Sequence, residues 1–375
     1  MFLKEIKLTN FRCLNNIELS FDSEDSSIRK QTILLGENGT GKTNLLKAIA
    51  LITAGSNALG ELIGNPDDWI QYDKASCEIK AILINKKNEE RTLKLKIQRG
   101  DTLKDIIIRG ENSLSEIDDA INQATRNYFV LGYGSTRRLG EERNSKYLED
   151  IRASNIATLF NRDSVLNPLE SWAIDLDYRE QKNGLKVVRE TLESFLPGIK
   201  FQGIDKKKKQ LLFVTKDGVI PLNYLSDGYQ NMAAWIGDLL YRVTNTFEDY
   251  KSPLEARGLL LVDEIDLHLH PKWQRVLLDF ISEKLPNFQL IATTHSPLTA
   301  QQANEDELYY FSREKKGVKL NKFTGTPKNL LVNQLLMTDV FGLKTDESKE
   351  VEEKKEEYRK LRDKKLLNSK EEKQF

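Results

Sequence analysis

The sequence predicts an α/β fold in which short buried strands alternate with helices around a mostly parallel sheet. Largely apolar runs at residues 32–36 (TILLG), 258–264 (GLLLVDE) and 288–295 (FQLIATTH) are typical of strands buried on both faces. Apolar side chains at helical spacing follow the first run at residues 44–54, and a helix whose first turn contains Pro271 follows the second. Because strands and helices alternate, we expect parallel pairing.

A second set of segments alternates apolar and polar residues, which is the period of a half-buried strand. Residues 2–8 (FLKEIKL) and 15–21 (NNIELSF) predict an N-terminal hairpin. The runs 77–84 (CEIKAILI), 92–98 (TLKLKIQ) and 103–109 (LKDIIIR) are separated by turn-like polar breaks and predict three strands of an antiparallel sheet.

The rest of the chain shows further strands and helices. In order, the pattern predicts a helix over 113–129, a buried strand over 129–134, helices around 169–178 and 187–195, a hairpin over 211–222 with its turn at 216–218, and an amphipathic helix over 229–243. Residues 346–375 hold ten acidic and ten basic residues and predict an exposed helix that frays toward its end. There is no sustained heptad pattern, so we expect no long coiled coil.

Bulk composition limits the class of protein. The 375 residues include 57 basic and 57 acidic side chains, a balance that gives no overall attraction to nucleic acid or anionic membranes. Cys13 and Cys77 are far apart and read as reduced, incidental thiols. No signal peptide and no apolar run long enough to span a bilayer is visible, so we expect a cytoplasmic protein with no membrane partner.

The segment GENGTGKT, residues 36–43, matches the phosphate-binding Walker A pattern G-x-x-x-x-G-K-[ST]. In this motif backbone N–H groups surround the phosphates of ATP, Lys42 reaches the β- and γ-phosphates, and Thr43 ligates Mg²⁺. A plain glycine-rich turn is the alternative, but the strand before and the helix after are those the motif requires. The residues assigned to the nucleotide here are Gly36, Asn38, Gly39, Gly41, Lys42, Thr43 and Asn44.

A second acidic element completes the predicted ATP site. Asp263 and Glu264 follow four apolar residues at the end of a strand, as in a Walker B motif. We expect Asp263 to support Mg²⁺ and Glu264 to orient or deprotonate the attacking water. With Lys42, Glu264 and His295 as catalytic residues, the sequence predicts an ATPase that uses ATP and Mg²⁺.

The three histidines of the chain, His268, His270 and His295, fall in one region. His295 ends a predicted strand and is either a sensor of the γ-phosphate or a satisfied core histidine. His268 and His270 could bind a transition metal with Asp263 and Glu264, although they alternate with leucines in a loop and lack a fourth soft ligand.

A short turn opens the amphipathic helix at 229–243. Residues 225–229 read Leu-Ser-Asp-Gly-Tyr, and Ser226 resembles a helix N-cap with N–H groups available to an anion. Ser-Asp-Gly is also an ordinary turn. The segment therefore indicates a functional site only through its order and spacing relative to the two Walker motifs.

The motifs together resemble those of ABC-type ATPase heads of the RecF, SMC and OLD branch. The resemblance covers residues 1–345 and rests on these segments: LTNFRCLNNIELSF, LGYGSTRRL, LSDGYQNM, DEIDLHLHPKWQ, LIATTHSPL and DVFGL. They are most similar to small bacterial AAA-type ATP-binding proteins of anti-phage systems, such as Septu PtuA-like and retron-associated ATPases. The resemblance implies an α/β head with a mostly parallel core sheet, an antiparallel β-subdomain and a helical insertion.

The resemblance also implies where each domain lies. We expect one head over 1–345, with a nucleotide-binding core (1–55 and 200–345), a β-subdomain (75–110), a helical insertion (140–200) and then a charged tail (346–375).

ABC heads hydrolyse ATP at a dimer interface, and the resemblance places residues on both sides of it. Ser226 and Gly228 would act on the nucleotide of a second subunit, whereas His295 would act within its own. Asp266 would cross the interface, and Arg12 would lie near the phosphates. The chain departs from the pattern because no Q-loop glutamine follows residues 129–134.

Tyr133 and Arg137 occupy the Q-loop region instead, and Asp227 and Tyr229 replace the glycine and glutamine of the transporter signature. We expect a dimeric, ATP-gated regulatory or scaffold subunit of an anti-phage complex, controlling a separate effector such as an HNH nuclease. A DNA-repair clamp is the alternative, for which 205–210 (DKKKKQ) and 135–146 (STRRLGEERNSK) are the basic clusters. A transporter domain fits poorly, since it would need the Q-loop glutamine.

Overall fold

The computed structural model of the chain describes residues 1–23, 27–85, 88–124, 126–139, 150–167, 169–180, 184–196, 198–216, 218–247, 253–315 and 317–371. The basic cluster predicted at 135–146 and the start of the predicted helical insertion lie partly outside these residues.

Strands carry the framework of the molecule. They are β1 (Phe2–Phe11), β2 (Leu14–Ser20), β3 (Gln31–Gly36), β4 (Ser76–Ile84), β5 (Glu90–Gln98), β6 (Val130–Tyr133), β7 (Arg138–Leu139), β8 (Val165–Leu166), β9 (Lys200–Asp205), β10 (Gln210–Thr215), β11 (Gly218–Pro221), β12 (Gly258–Val262), β13 (Phe288–Thr293), β14 (Leu308–Glu314) and β15 (Gly317–Lys322).

Helices connect and cover these strands. They are α1 (Lys42–Thr53), α2 (Ser56–Leu62), α3 (Leu103–Arg109), α4 (Glu111–Gln123), α5 (Ile151–Phe160), α6 (Leu169–Glu180), α7 (Gly184–Phe195), α8 (Asp227–Thr246), α9 (Pro271–Gln274), α10 (Leu277–Lys284), α11 (Pro297–Ala300), α12 (Val332–Leu336) and α13 (Lys349–Glu371). No described helix combines the length and apolar character needed to cross a bilayer.

The central sheet has the order β15-β14-β3-β13-β12-β6 within the described chain, and only its β14–β15 pair is antiparallel. Both of its faces are buried, as the apolar runs predict. Ile33 and Leu260 face a core that contains α8, whereas Leu34 and Leu259 face a core that contains α1. The carboxyl ends of β3, β6, β12 and β13 therefore meet at one edge between two packed layers.

An antiparallel sheet of order β2-β1-β4-β5 lies beside the second core. The prediction of a third strand at 103–109 is wrong, because Leu103–Arg109 is α3. Thr102 accepts a hydrogen bond from the Asp105 backbone, and the Asp105 carboxylate accepts one from the Thr102 backbone. This capping box starts a helix in a segment whose apolar run alone favours neither state.

Residues 200–221, predicted as part of the nucleotide-binding core, form a separate antiparallel sheet of order β11-β10-β9. Phe201 and Phe213 of this sheet belong to the core that contains α8. Their ring centroids are 5.9 Å apart. The helix predicted from Pro271 onward is interrupted, since α9 ends at Gln274 and Val276 is 53% exposed. The tail forms α13, whose described side chains are exposed.

Candidate nucleotide-binding site

The turn between β3 and α1 forms the predicted phosphate loop. Gly41 immediately precedes α1 with φ of 101°, and an added Cβ there would lie 2.5 Å from Leu14 Cδ2. Gly36 has φ of 142°, and a Cβ would come within 2.9 Å of Phe311 and Thr40. Only glycine fits both positions, so the loop keeps its backbone close to any bound anion and points the N-terminus of α1 at it.

Lys42 lies folded back over this loop. Its Nζ donates to the carbonyl oxygens of Gly36 at 2.6 Å and Glu37 at 3.0 Å, and the residue is buried. Burial lowers the pKa of Lys42, while attraction to Asp263 and Glu264 works in the opposite direction. An ammonium group kept close to the loop by two carbonyls is suited to bind phosphate oxygens.

Thr43 and Asp263 bring two oxygen donors together. The Thr43 hydroxyl donates to Asp263 Oδ2 at 2.8 Å, and the Thr293 hydroxyl donates to Asp263 Oδ1 at 2.6 Å. The carboxylate is therefore oriented from both sides, with one oxygen toward the phosphate loop. A hydroxyl and a carboxylate beside a phosphate site are the ligands that Mg²⁺ prefers, so this donor set fits the ion.

Glu264 follows with an unusual backbone, since its φ is 49°. Its N–H donates to the Thr293 hydroxyl at 2.7 Å. With Asp263 and His295 it lines a cleft of about 240 Å³, whose other lining residues are Asn38, Gly39, Gly41, Lys42, Thr43 and Asn44. The structure thus gathers at one cleft nearly all residues that the Walker motifs nominate.

His295 lies at the mouth of this cleft, just after β13. Burial, and next the positive charge of Lys42, lower the pKa of His295, against the attraction of Glu264, Asp266 and Asp263. The imidazole is therefore neutral at physiological pH, and one ring nitrogen can donate a hydrogen bond to an anion while the other accepts one.

Arg12 flanks the phosphate loop from the turn between β1 and β2. Its guanidinium lies 4.0 Å from the Trp69 ring centroid and donates to Asn44 Oδ1 at 3.3 Å and to the Asp68 carbonyl at 3.1 Å. Burial lowers the pKa of Arg12. The structure places Arg12 beside the first turn of α1, one hydrogen bond away from a residue of the cleft.

The signature-like turn is placed elsewhere in the same subunit. Ser226 occupies the N-cap position of α8, but its exposed side chain makes no capping hydrogen bond. A Cβ on Gly228 would lie 3.0 Å from the His268 carbonyl oxygen, so the start of α8 packs on the segment after Walker B. Neither Ser226 nor Gly228 lines the cleft beside the phosphate loop of its own chain, and their role toward a second subunit stays a prediction.

Asp266, predicted to reach a second subunit, is turned into its own. Its carboxylate accepts hydrogen bonds from Thr294 at 2.8 Å and Thr299 at 3.0 Å, and the residue is buried. The cross-subunit contact stays a prediction that would require these two bonds to open or the backbone to make the contact.

The alternative of a transition-metal site finds no geometry to support it. Within the described residues no three His, Cys, Asp or Glu side chains converge as metal ligands. His270 instead begins α9, where its Nδ1 accepts the Lys272 backbone N–H at 3.2 Å.

Two residues at the site were not recognised as site residues from sequence. Thr293 contacts both Asp263 and Glu264, and the Arg137 guanidinium donates to the backbone carbonyls of both. The pairing of the parallel strands could have indicated Thr293. Val262 pairs with Ala292, so the residues that follow them, Asp263 and Thr293, lie side by side. For Arg137 the sequence indicates only that it lies in the Q-loop region, where no glutamine follows β6.

Parallel strands that bring a phosphate loop, an acidic pair and a histidine to one edge, next to an antiparallel sheet, define the protein class. The chain has the α/β fold of ABC-type ATPase heads such as that of SMC. One solved structure, an SMC head bound to the C-winged helix domain of ScpA, covers 86% of this chain and 98% of its own with a TM-score of 0.52. At 15% identity this likeness shows the shared fold alone.

More particularly, the chain belongs to the AAA_21 family, described as "AAA domain, putative AbiEii toxin, Type IV TA system", whose profile matches residues 32–300. The Septu protein PtuA of Bacillus mycoides (strain KBAB4) is 28% identical over 355 residues, 91% of this chain and 45% of that protein. The Septu protein PtuA of Bacillus thuringiensis is 25% identical over 316 residues, 82% of this chain and 75% of that protein. The chain thus spans less than half of the first relative's length.

Proposed function

We propose that this chain binds and hydrolyses ATP with Mg²⁺ at the cleft between β3, β12 and β13. Lys42 and the loop of Gly36, Gly39 and Gly41 would bind the phosphates, and Thr43 with Asp263 would hold the metal, which neutralises charge on the phosphates. Glu264 would orient and deprotonate the attacking water, and His295 would contact the γ-phosphate from its neutral ring.

The single observation that carries this proposal is the hydrogen-bonded chain Thr43–Asp263–Thr293. It joins the phosphate loop to the Walker B strand through a carboxylate oriented at both oxygens. A buried carboxylate whose hydrogen-bond partners within the described part of the chain are two hydroxyls, next to the Lys42 ammonium, is costly for a purely structural site. A divalent cation and a triphosphate bound at the cleft would offset the free-energy cost of burying this carboxylate.

We further propose that two copies enclose the nucleotide, with Ser226 and Gly228 of one copy on the γ-phosphate bound by the other. The exposed, uncapped Ser226 and its absence from the cleft of its own chain support this arrangement. Arg12, Asn38 and Asn44 would contact the nucleotide within the subunit. ATP binding would then close the dimer, and hydrolysis would open it.

The complex that this switch serves is proposed from the relatives. Similarity to Septu proteins over most of the chain supports an ATPase subunit of a bacterial anti-phage complex that controls a separate effector, such as an HNH nuclease. The chain covers only 45% of the first relative's length, so the control of an effector and the trigger of the switch are proposed here from the similarity.

The replacement of Glu264 by glutamine tests the proposal. Glu264→Gln keeps the phosphate and metal contacts but removes the base, so we expect turnover to fall by about 100-fold or more while ATP binding persists. Size-exclusion chromatography with ATP and Mg²⁺ should then show a stable dimer. Glu283→Gln, an exposed change in α10, is the control and should behave like the wild type. Undiminished turnover, or a Glu264→Gln protein that stays monomeric with ATP, would refute the assignment.

The alternative, a clamp on duplex DNA, is favoured by one surface feature. Lys206, Lys207, Lys208 and Lys209 are exposed in the turn between β9 and β10, and Lys206 bonds to Asp177 at 2.8 Å. The trapped Glu264→Gln dimer separates the two functions. If it holds duplex DNA with an affinity that falls steeply with salt, the clamp is the better description.

A further inference from the structure

Arg137 is a buried arginine for which the Walker motifs give no role. It lies four residues after β6, and 8% of its surface is exposed. Its Nη2 donates to the carbonyl oxygens of Asp263 at 2.7 Å and Glu264 at 2.8 Å, and its Nε donates to that of Gly134 at 3.3 Å. The guanidinium therefore ties the end of β6 to the turn that follows β12.

Thr293 holds the opposite side of the same turn. Its hydroxyl accepts the N–H of Glu264 at 2.7 Å, and its carbonyl accepts the N–H of Ile265 at 2.9 Å. The peptide group before Glu264 and the one after it are thus each bonded at the carbonyl by Arg137 and at the N–H by Thr293. Because these two planes set φ and ψ of Glu264, four hydrogen bonds fix the direction in which its side chain leaves the backbone.

Glu264 needs this support because its φ of 49° lies in the left-handed region. A residue with a Cβ is sterically disfavoured there, and such a conformation persists only where the surrounding structure imposes it. Without the arginine, both carbonyls would lose a charged donor in a buried place. The turn would then relax, and the carboxylate would move within the cleft.

The charge and packing of Arg137 suit this task. Burial lowers the pKa of Arg137 to about 10, against the attraction of Asp263, Asp266 and Glu264, so it stays protonated at neutral pH. Its Cζ lies 5.6 Å from the ring centroid of Trp235 in α8. The guanidinium is thus packed against the helix that Ser226 opens, and its position depends on where that helix lies.

We propose that Arg137 is a positioning residue for ATP hydrolysis, which with Thr293 holds the backbone of Glu264 so that the carboxylate meets the attacking water. The inference rests on the proposed function, in which Glu264 activates that water. The segment after β6 would then support the site through an arginine that bonds to the Walker B backbone, in place of the glutamine side chain of other ABC heads.

The test compares two arginines that donate to backbone carbonyls: Arg137, which is buried, and Arg152, which is half-buried. Arg152 donates to the backbone carbonyls of Thr53, Ala54, Asn127 and Tyr128, outside the cleft, and burial lowers its pKa to about 10 as well. Both Arg137→Met and Arg152→Met should lower the melting temperature. At a temperature where both are folded, we expect Arg137→Met alone to lower kcat, by about 100-fold, because a displacement near 1 Å has that effect.

Affinity for ATP separates positioning from a general defect of the site. We expect Arg137→Met to bind a fluorescent ATP analogue with nearly wild-type affinity, since none of its contacts is to the phosphate loop. Arg137→Lys should recover part of kcat, because its ammonium keeps the charge but ends one bond short of Nη2 and lacks the Nε–H that bonds to Gly134. Equal kcat values for Arg137→Met and Arg152→Met would overturn the inference.

A double variant shows whether Arg137 acts through Glu264. If it does, Arg137→Met combined with Glu264→Gln should turn ATP over no more slowly than Glu264→Gln alone. A further loss of comparable size in the double variant would overturn the inference. Full activity of Glu264→Gln itself would instead refute the proposed function, whereas an inactive Glu264→Gln beside a fully active Arg137→Met would refute only the positioning role.

Discussion

At the residue scale, the site depends on a carboxylate that its neighbours orient and on a histidine whose charge its neighbours set. Asp263 is oriented by two hydroxyls, and Lys42 lies over the same loop. Partial burial and then the Lys42 ammonium lower the pKa of His295, so both favour the neutral form of its ring. Because the unfolded chain lacks these neighbours, the pKa of His295 differs between the two states, and the stability of the protein should depend on pH.

We expect the stability of the wild type to fall more steeply below pH 6.5 than that of His295→Asn. The pKa of His295 is lowered on folding from 6.5, so the unfolded state takes up a proton first as the pH falls through that value. Well above pH 6.5 the histidine is neutral in both states, so the stabilities of the two proteins should there depend on pH in the same way. Melting temperatures of the two proteins between pH 5.5 and 8 measure the effect. Parallel curves would show that the pKa of His295 does not change on folding.

Sequence motifs located the residues whose geometry is local. Lys42 and Thr43 follow their glycines at fixed spacing, and Asp263 follows its strand, so their convergence could be predicted. Thr293 at the end of β13 and Arg137 in the loop after β6 contact the same turn, and no spacing along the chain encodes that contact. Their roles come from which strands are neighbours in the sheet.

At the element scale, the buried strands were predictable, because short continuous apolar runs are typical of strands buried on both faces of a parallel sheet. The segments 103–109 and 271–281 were not, because hydrophobic periodicity is the same whether or not a cap or a break intervenes. The capping box of Thr102 and Asp105 turned the first into a helix. The second divides into α9 and α10 at Val276, whose side chain is exposed.

The helix α8 is anchored by a buried acidic residue, Asp238. It is fully buried and accepts hydrogen bonds from Tyr133 at 2.9 Å, Arg242 at 2.6 Å and the Asn167 side chain at 2.6 Å. Tyr133 belongs to β6, so this network fixes the helix that carries Ser226 relative to the central sheet. Burying two opposite charges is favourable only while both remain paired and hydrogen-bonded.

We therefore expect Asp238→Ala to lower the free energy of unfolding by about 3–5 kcal/mol, since Arg242 would be left charged and unpaired. Urea denaturation followed by circular dichroism measures the loss. The double variant Asp238→Ala with Arg242→Met removes both charges and should recover part of it. A loss below about 1 kcal/mol in the single variant would mean that the network contributes little to stability.

At the scale of the whole molecule, the head and its tail differ in how they are stabilised. The head buries two cores, on either face of the central sheet. In α13 the side chains described are exposed, including Val351 at 41%, Tyr358 at 69% and Leu361 at 64%. Its stability as a helix comes from pairs such as Lys354 with Glu350, at 2.6 Å, which contribute only a few tenths of a kcal/mol each. A helix of this kind is either a solvated extension or a docking segment.

If the tail docks an effector, deletion of residues 346–375 should leave ATP turnover and the melting temperature nearly unchanged but abolish capture of a co-expressed effector nuclease. The head keeps its cores and its cleft, so only the interaction should be lost. Tyr358→Ser tests the apolar stripe without removing the helix, and Tyr72→Ser, which alters an exposed tyrosine elsewhere, is the matched control. Pull-down of the tagged effector with each variant measures the outcome. Equal recovery with the full chain and the truncated chain would leave the tail as a solvated helix and place the effector on the head.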